Sequence, residues 1–174
     1  MVGVLPGLVR PHDKAVSPLR ICEGTVVVDS NLYTSADVRG VFGITEKQVR
    51  YLGDVGAVAP FCAVNGTGNH REYDLRGMIE FALAVELRKL GTRHESVAAC
   101  LRDLRTRWPG WYFADDCCVG FQIDGPESRV FFMEQLSVAV NRFRDWAKNQ
   151  TDTTAPVFVN IGSLRRYVRE RLAR

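Results

Sequence analysis

The stretch Gly43-Ile44-Thr45-Glu46-Lys47-Gln48-Val49-Arg50-Tyr51-Leu52 decides how this chain is read. Gly43 ends one helical pattern and Thr45 opens the next. Thr45 and Gln48 have the T-x-x-Q spacing of a capping box, in which each side chain accepts a hydrogen bond from the other residue's backbone amide. Ile44 and Val49 stand where a hydrophobic staple would fix the entry of the chain. Val49, Leu52 and Val55 recur at i, i+3 and i+6, and Gly56 closes the helix. One step back, Thr34 and Asp37 repeat the box-like spacing, Tyr33 and Val38 repeat the staple, and Val38, Val41 and Phe42 make one apolar stripe. Two short helices joined by one glycine turn are the helix-turn-helix arrangement.

After Gly56 the run Ala57-Val58-Ala59-Pro60-Phe61 reads as extended. Asn65-Gly66-Thr67-Gly68-Asn69 is a turn-rich tip, and His70-Arg71-Glu72-Tyr73 returns from it. A hairpin placed directly after a helix-turn-helix is a wing. Asp74 then caps a long helix whose Met78, Ile79, Ala82, Leu83, Leu87 and Leu90 are expected to face inward, with Gly91 as its stop. Thr92-Arg93-His94-Glu95 has the form of a further capping box, and Val97, Leu101, Leu104 and Trp108 mark the helix that it opens.

Trp108-Pro109-Gly110 ends that helix and reads as a joint. Beyond it lie strand-like runs at 111–114, 117–123 and 129–133, with turn chemistry at Asp115-Asp116 and Asp124-Gly125-Pro126. A helical stripe follows (Leu136, Val140, Phe143, Ala147), then a strand at 156–160. A last helix, capped by Ser163, carries Leu164, Tyr167, Val168 and Leu172. The expected class is therefore α+β. An arm at 1–31, with one strand-like run at 25–28, precedes a winged helix-turn-helix at 32–107. A small α+β module fills 108–174.

The 174 residues suffice for one domain or two small ones, and 46% hydrophobic with 25% charged residues is globular composition. The net charge of +3 is mildly basic and is compatible with nucleic acid where it is concentrated on one face. No segment reaches the roughly 18 apolar residues of a membrane span, and residues 1–10 lack the basic start of a signal peptide. Cys22, Cys62, Cys100, Cys117 and Cys118 are odd in number and form no C-x-x-C pair, so a reduced cytoplasmic setting is expected. Cys117 and Cys118 are adjacent in a strand, point to opposite faces and read as core. His12, His70 and His94 lack metal-ligand spacing, and no Ser/His/Asp, paired-carboxylate or phosphate-loop set stands out. Neither a cofactor, a metal nor catalysis is expected.

Residues 33–101 resemble the DNA-binding domain of the MerR family of transcriptional regulators. The resemblance rests on Tyr33-Thr34, on Gly43 through Tyr51 with its Arg50-Tyr51 pair, and on Gly56. It continues through Arg71-Glu72-Tyr73-Asp74-Leu75 at the wing exit and Leu90-Gly91 before the next capped helix. It covers about 70 of the 174 residues. It implies a winged helix-turn-helix in a bacterial or phage protein that controls transcription by distorting promoter DNA. Three features depart from the family. Leu52 replaces the second aromatic after Arg-Tyr, the wing tip is longer and richer in Gly and Asn, and the helix ending at Trp108-Pro109-Gly110 does not continue as the family's long dimerising coiled coil.

The residues themselves point the same way. With Val49, Leu52 and Val55 buried, Lys47, Gln48, Arg50 and Tyr51 are left accessible, and the start of that helix is the part that enters a major groove. Lys47 and Gln48 can reach base edges, lysine favouring guanine and glutamine adenine. Arg50 and Tyr51 would hold phosphates, Arg71 a phosphate or the minor groove, His70 a phosphate, and amides at the start of the first helix, at Thr34, another phosphate, while Thr45 to Gln48 enter the groove. Each has a plainer reading. Lys47 and Arg50 can be a solvated face, Tyr51 can pack under the wing, and Arg71 can pair with Glu72 or Asp74. Arg165, Arg166, Arg169, Arg171 and Arg174, opposed by Glu170 alone, are either a solvated face or a second nonspecific DNA contact.

The expected function is a sequence-specific regulator that binds double-stranded DNA. The alternatives are an excisionase-like architectural protein, a phage repressor, an autoregulating antitoxin, or a winged helix turned to protein interaction. Trp111, Phe113, Phe121, Phe131, Phe132 and Trp146 exceed what one small core needs, so a homodimer through 108–174 is expected, unless all six fill that module's own core. The same module is where a small-molecule or protein effector would bind.

Overall fold

Two of the three expected capping boxes form, those at Thr34 and Thr45. The computed structural model describes residues 31–61, 71–113, 117–122, 129–133 and 157–174, together with the helical residues Val140, Asn141, Arg144, Asp145 and Lys148. Thr34 caps α1 (Ser35–Phe42): its amide donates to Asp37 Oδ2 at 2.7 Å, and the Asp37 amide donates back to Thr34 Oγ1 at 3.3 Å. Gly43 ends α1 at φ +65°, with its amide on the Arg39 carbonyl at 2.9 Å. That left-handed conformation is why glycine stands there. Two residues later Thr45 caps α2 (Glu46–Asp54). The chain then turns through Gly56, at φ +72°, with the Ala57 and Val58 amides both on the Leu52 carbonyl.

A two-residue strand, β1 (Tyr33–Thr34), pairs antiparallel with β2 (Glu72–Tyr73), Tyr33 opposite Tyr73. The Phe61 amide donates to the Glu72 carbonyl at 2.8 Å, so β2 is bonded on both sides. The hairpin tip expected at 65–69, His70 and the strand-like run at 25–28 lie outside the described residues.

Asp74 caps α3 (Leu75–Lys89), accepting from the Gly77 amide at 2.8 Å. Every residue of α3 from 77 to 84 is buried. A helix buried all round is the centre of its fold, and α3 touches α1, α4 (His94–Arg107), β2 and the last helix, α5 (Ile161–Leu172). Leu90 was expected to face inward but is 61% exposed, because it lies past the end of α3 in the turn closed by Gly91. Thr92 does not cap α4 either. It is buried, its amide closes back on Leu87 and its carbonyl accepts from Arg88, so Arg93 occupies the cap with no side-chain hydrogen bond.

Past Trp108-Pro109-Gly110 the expected strand at 111–114 is instead a single 3-10 turn, Trp111–Phe113. The Pro-Gly turn sets it. The Trp111 amide reaches the Trp108 carbonyl and the Phe113 amide reaches the Gly110 carbonyl, each at 3.0 Å. This drops the Trp111 ring into the core and leaves Phe113 49% exposed. The remaining strands form one antiparallel sheet in the order β4 (Arg129–Met133), β3 (Cys118–Gln122), β5 (Val157–Asn160). Val119 faces Phe132 on one side and Val159 on the other. Cys117, Val119 and Phe121 join the main core while Cys118, buried as well, does not, which is the alternation of a strand. Asn160 caps α5, its Oδ1 accepting from the Ser163 amide at 2.8 Å. The helix thus starts one turn before the expected Ser163 cap.

Asn31–Arg174 is one compact unit, and one core runs through it from Val38, Leu52 and Phe81 to Trp111, Phe121, Ile161 and Val168. The joint at Trp108 is a change of direction within that unit. The chain returns across it, with α5 packing on α3 and α1.

One charged side chain sits inside. Glu80 is 0% exposed. Its Oε2 accepts from Arg105 Nη1 at 3.0 Å and from the Ala59 amide at 3.1 Å. Arg105 also donates to the Ala57 carbonyl at 2.9 Å and, through Nη2, to the Gly56 carbonyl at 2.7 Å. The pair thereby ties α3 and α4 to the turn that follows α2. Burial pushes the Glu80 carboxyl above its ordinary value of 4.5, against the opposing pull of Arg105 and the Ala59 amide.

Removing one partner leaves the other buried and uncompensated, so Arg105→Ala is expected to lower unfolding free energy by about 3–5 kcal/mol in urea titrations at neutral pH. Because the folded carboxyl titrates above its unfolded value, the stability it contributes is fully present below pH 4.5 and is lost as pH rises through the raised value. Relative to Glu80→Gln, the native chain should therefore lose stability across that window; a constant difference would show that the carboxyl is not shifted.

Candidate functional site

The turn between α1 and α2 leaves α2 as a short, strongly amphipathic helix. Val49 and Leu52 are its only buried residues, and Val55, in the cap position, is partly buried. At 100° per residue the opposite face carries Lys47, Arg50, Tyr51 and Asp54. Lys47 and Arg50 are exposed, and among the described residues neither makes an ion pair. Three other surface cations are neutralised. Arg39 meets Glu46 at 3.3 Å across the glycine turn, Lys89 meets Glu86 and Arg107 meets Asp103.

Gln48 has a prior engagement. Its Oε1 accepts from the Thr45 amide at 2.8 Å and from the Thr45 hydroxyl at 3.0 Å. The paired donor and acceptor that an adenine edge requires are therefore not both free; only the amide nitrogen is. Thr45 Oγ1 in turn accepts from the Gln48 amide at 3.3 Å. Thr34 is placed alike at the start of α1, exposed and bound to Asp37.

Arg71 does not pair with Glu72 or Asp74. Its Nη2 contacts Asp54 Oδ1 at 2.6 Å and its Nη1 donates to the Arg50 carbonyl at 3.3 Å. The Asp54 hydrogen bond raises its pKa further. A Cβ at Gly53 would overlap this guanidinium, so the glycine opens the path by which Arg71 lies over the last turn of α2. The result is electrostatic as well as structural. Asp54 is the one carboxylate on the outer face of α2 opposite Val49 and Leu52, and Arg71 neutralises it.

Tyr51 is 39% exposed, and its hydroxyl donates to Glu95 Oε1 at 3.0 Å. Its ring meets His94 edge-on at 4.8 Å. It thus bridges α2 to the start of α4. Burial first and Arg88 second hold His94 below its ordinary 6.5, so the imidazole there is neutral at physiological pH. Glu95 is held below the ordinary carboxylate value by a backbone hydrogen bond and then by Tyr51.

The structure thus gathers Lys47, Gln48, Arg50 and Tyr51 on one helix and sets Arg71 at its end. His70 lies outside the described residues. Asp54, Gly53 and the Glu80–Arg105 pair were not singled out from sequence, and Glu95 only as part of a capping box, although a glutamate inside Met78-Ile79-Glu80-Phe81-Ala82 is a visible anomaly. Among the described residues no group of three or more His, Cys, Asp or Glu could hold a metal.

Losing the cap should cost Gln48→Ala about 0.5–1 kcal/mol of stability in urea titrations, whereas Gln48→Glu, which keeps the box, should be close to neutral. Equal losses for both would show that the box contributes nothing. No protein-family model matches this chain and no curated protein matches it.

Proposed function

We propose that this chain is a sequence-specific regulator of transcription that binds double-stranded DNA, with α1 and α2 as a helix-turn-helix and the start of α2 in the major groove. The observation that carries the reading is the pair Lys47 and Arg50, exposed and unneutralised on a helix face whose carboxylate, Asp54, is cancelled by Arg71. A surface arranged in this way presents net positive charge to phosphates. The resemblance of residues 33–101 to the MerR family supports the same reading. In it Lys47 reads bases and Arg50 anchors the backbone, while the Thr34 and Thr45 amides, already donated to Asp37 and Gln48, are not available to phosphates. Gln48 and Tyr51 act chiefly as architecture, holding α2 at its start and against α4. The base of the wing is tied to α2 by Arg71.

Pairing of two chains would double the contact. Trp111 and Phe121 fill the chain's own core, whereas Phe113 and Tyr167 stay exposed and are available to a second copy. Two linked half-site contacts raise affinity through effective concentration.

Selection from a random duplex library should return one motif. Lys47→Ala is expected to cost about 1–3 kcal/mol on that motif and to relax one or two positions. Arg50→Ala should weaken all sequences alike and shallow the salt dependence by about one unit of slope. If the selection yields no motif and no salt-dependent binding, the proposal falls.

A further inference from the structure

The positive charge of this protein is unevenly placed. The whole chain has 23 basic and 20 acidic residues. Residues 161–174 alone hold five arginines against Glu170, which leaves 18 basic against 19 acidic elsewhere. The basic surplus is therefore a property of α5 and the two residues after it.

Their positions follow from packing. Ile161, Leu164 and Val168 are buried and Leu172 is partly so, which turns one face of α5 into the shared core. Arg165 is used internally, its Nη1 donating to the Phe113 carbonyl at 2.6 Å and to the Tyr112 carbonyl at 3.3 Å. Arg171 lies over the Tyr167 ring, 5.4 Å from its centre. Arg166, Arg169 and Arg174 are exposed, and among the described residues none has a carboxylate partner. Arg166 and Arg169, three residues apart, are neighbours on the helix surface. α5 packs on α1, so the helix that carries this row adjoins the two-helix site.

From this we infer that α5 is a second DNA-backbone contact, with Arg166 and Arg169 on phosphates flanking the site read by α2; the inference rests on the DNA-binding reading above. Arginine suits the task because its guanidinium bridges phosphate oxygens. A lipid surface suits this helix poorly, because its apolar face is already buried in the protein and cannot enter a bilayer. The contact carries no sequence information. It raises affinity for every duplex and lengthens the protected stretch.

Salt titrations on the full chain, with a duplex that carries the selected motif and flanks, test this. Arg166→Ala/Arg169→Ala should shallow the slope of log affinity against log salt by about two units and leave the selected motif unchanged. Arg166→Lys/Arg169→Lys, which keeps the charge, should restore most of the slope. An unchanged slope for the alanine pair beside a reduced slope for Arg50→Ala would overturn the role of α5 and leave DNA binding standing. No duplex binding by the native chain would overturn both. Loss of binding to phosphatidylserine vesicles, with duplex binding intact, would assign the row to a membrane surface and overturn the proposal as well.

Discussion

The buried contact between Glu80 and Arg105 is the constraint on which the arrangement depends. Neither charge could sit in the interior alone, since an unpaired buried ion is far costlier than a paired one. Together they do more than cancel. Arg105 also binds the carbonyls of Gly56 and Ala57, and Glu80 also binds the amide of Ala59. Three backbone groups of an irregular turn, which in an apolar setting would lack partners, are thereby satisfied from two helices. The turn is the exit of α2. Its position relative to α3 and α4 is set by directional bonds, where apolar packing alone would permit sliding.

That matters because α2 has little of its own to hold it. Its two buried residues supply limited apolar burial, and a nine-residue helix is too short to be stable unaided. It is secured at every end: by Thr45 and Gln48 at its start, by Tyr51 on Glu95 at its side, and by Arg71 over its last turn. Exposed polar contacts of this kind contribute modestly one by one. Jointly they fix orientation, and the outer face remains free to meet a partner.

Much of the fold was legible because its signals are local. Thr34, Gly43, Thr45, Gly56, Asp74 and Gly91 each mark a helix boundary within four residues of their partner groups. β3 and β4 were legible as apolar runs between turn residues. What failed was competition between neighbouring signals. Trp111 and Phe113 alternate like a strand, but the preceding Pro-Gly turn wound them into a 3-10 turn. Asn160 and Ser163 both suit a cap, and the structure uses the earlier one. The site was legible in its exposed cations and illegible in its pairings. Arg71 with Asp54, Glu80 with Arg105 and Tyr51 with Glu95 are separated by 17, 25 and 44 residues, and no short-range pattern announces them. The same distance hid the unity of the core, for nothing near Trp108 reveals that α5 returns to α1 and α3.

That return has a consequence for how the protein comes into being. The helices proposed to meet DNA are made early, yet the core beneath them lacks Ile161, Leu164 and Val168 until the last helix has been synthesised. Contacts between residues so far apart close slowly, since the intervening loop must be ordered before they are formed. On the ribosome, α3 therefore waits with an open apolar flank for nearly half the chain to follow. During that interval the nascent protein offers hydrophobic surface to chaperones, and it acquires its finished helical pair only when the far end has docked.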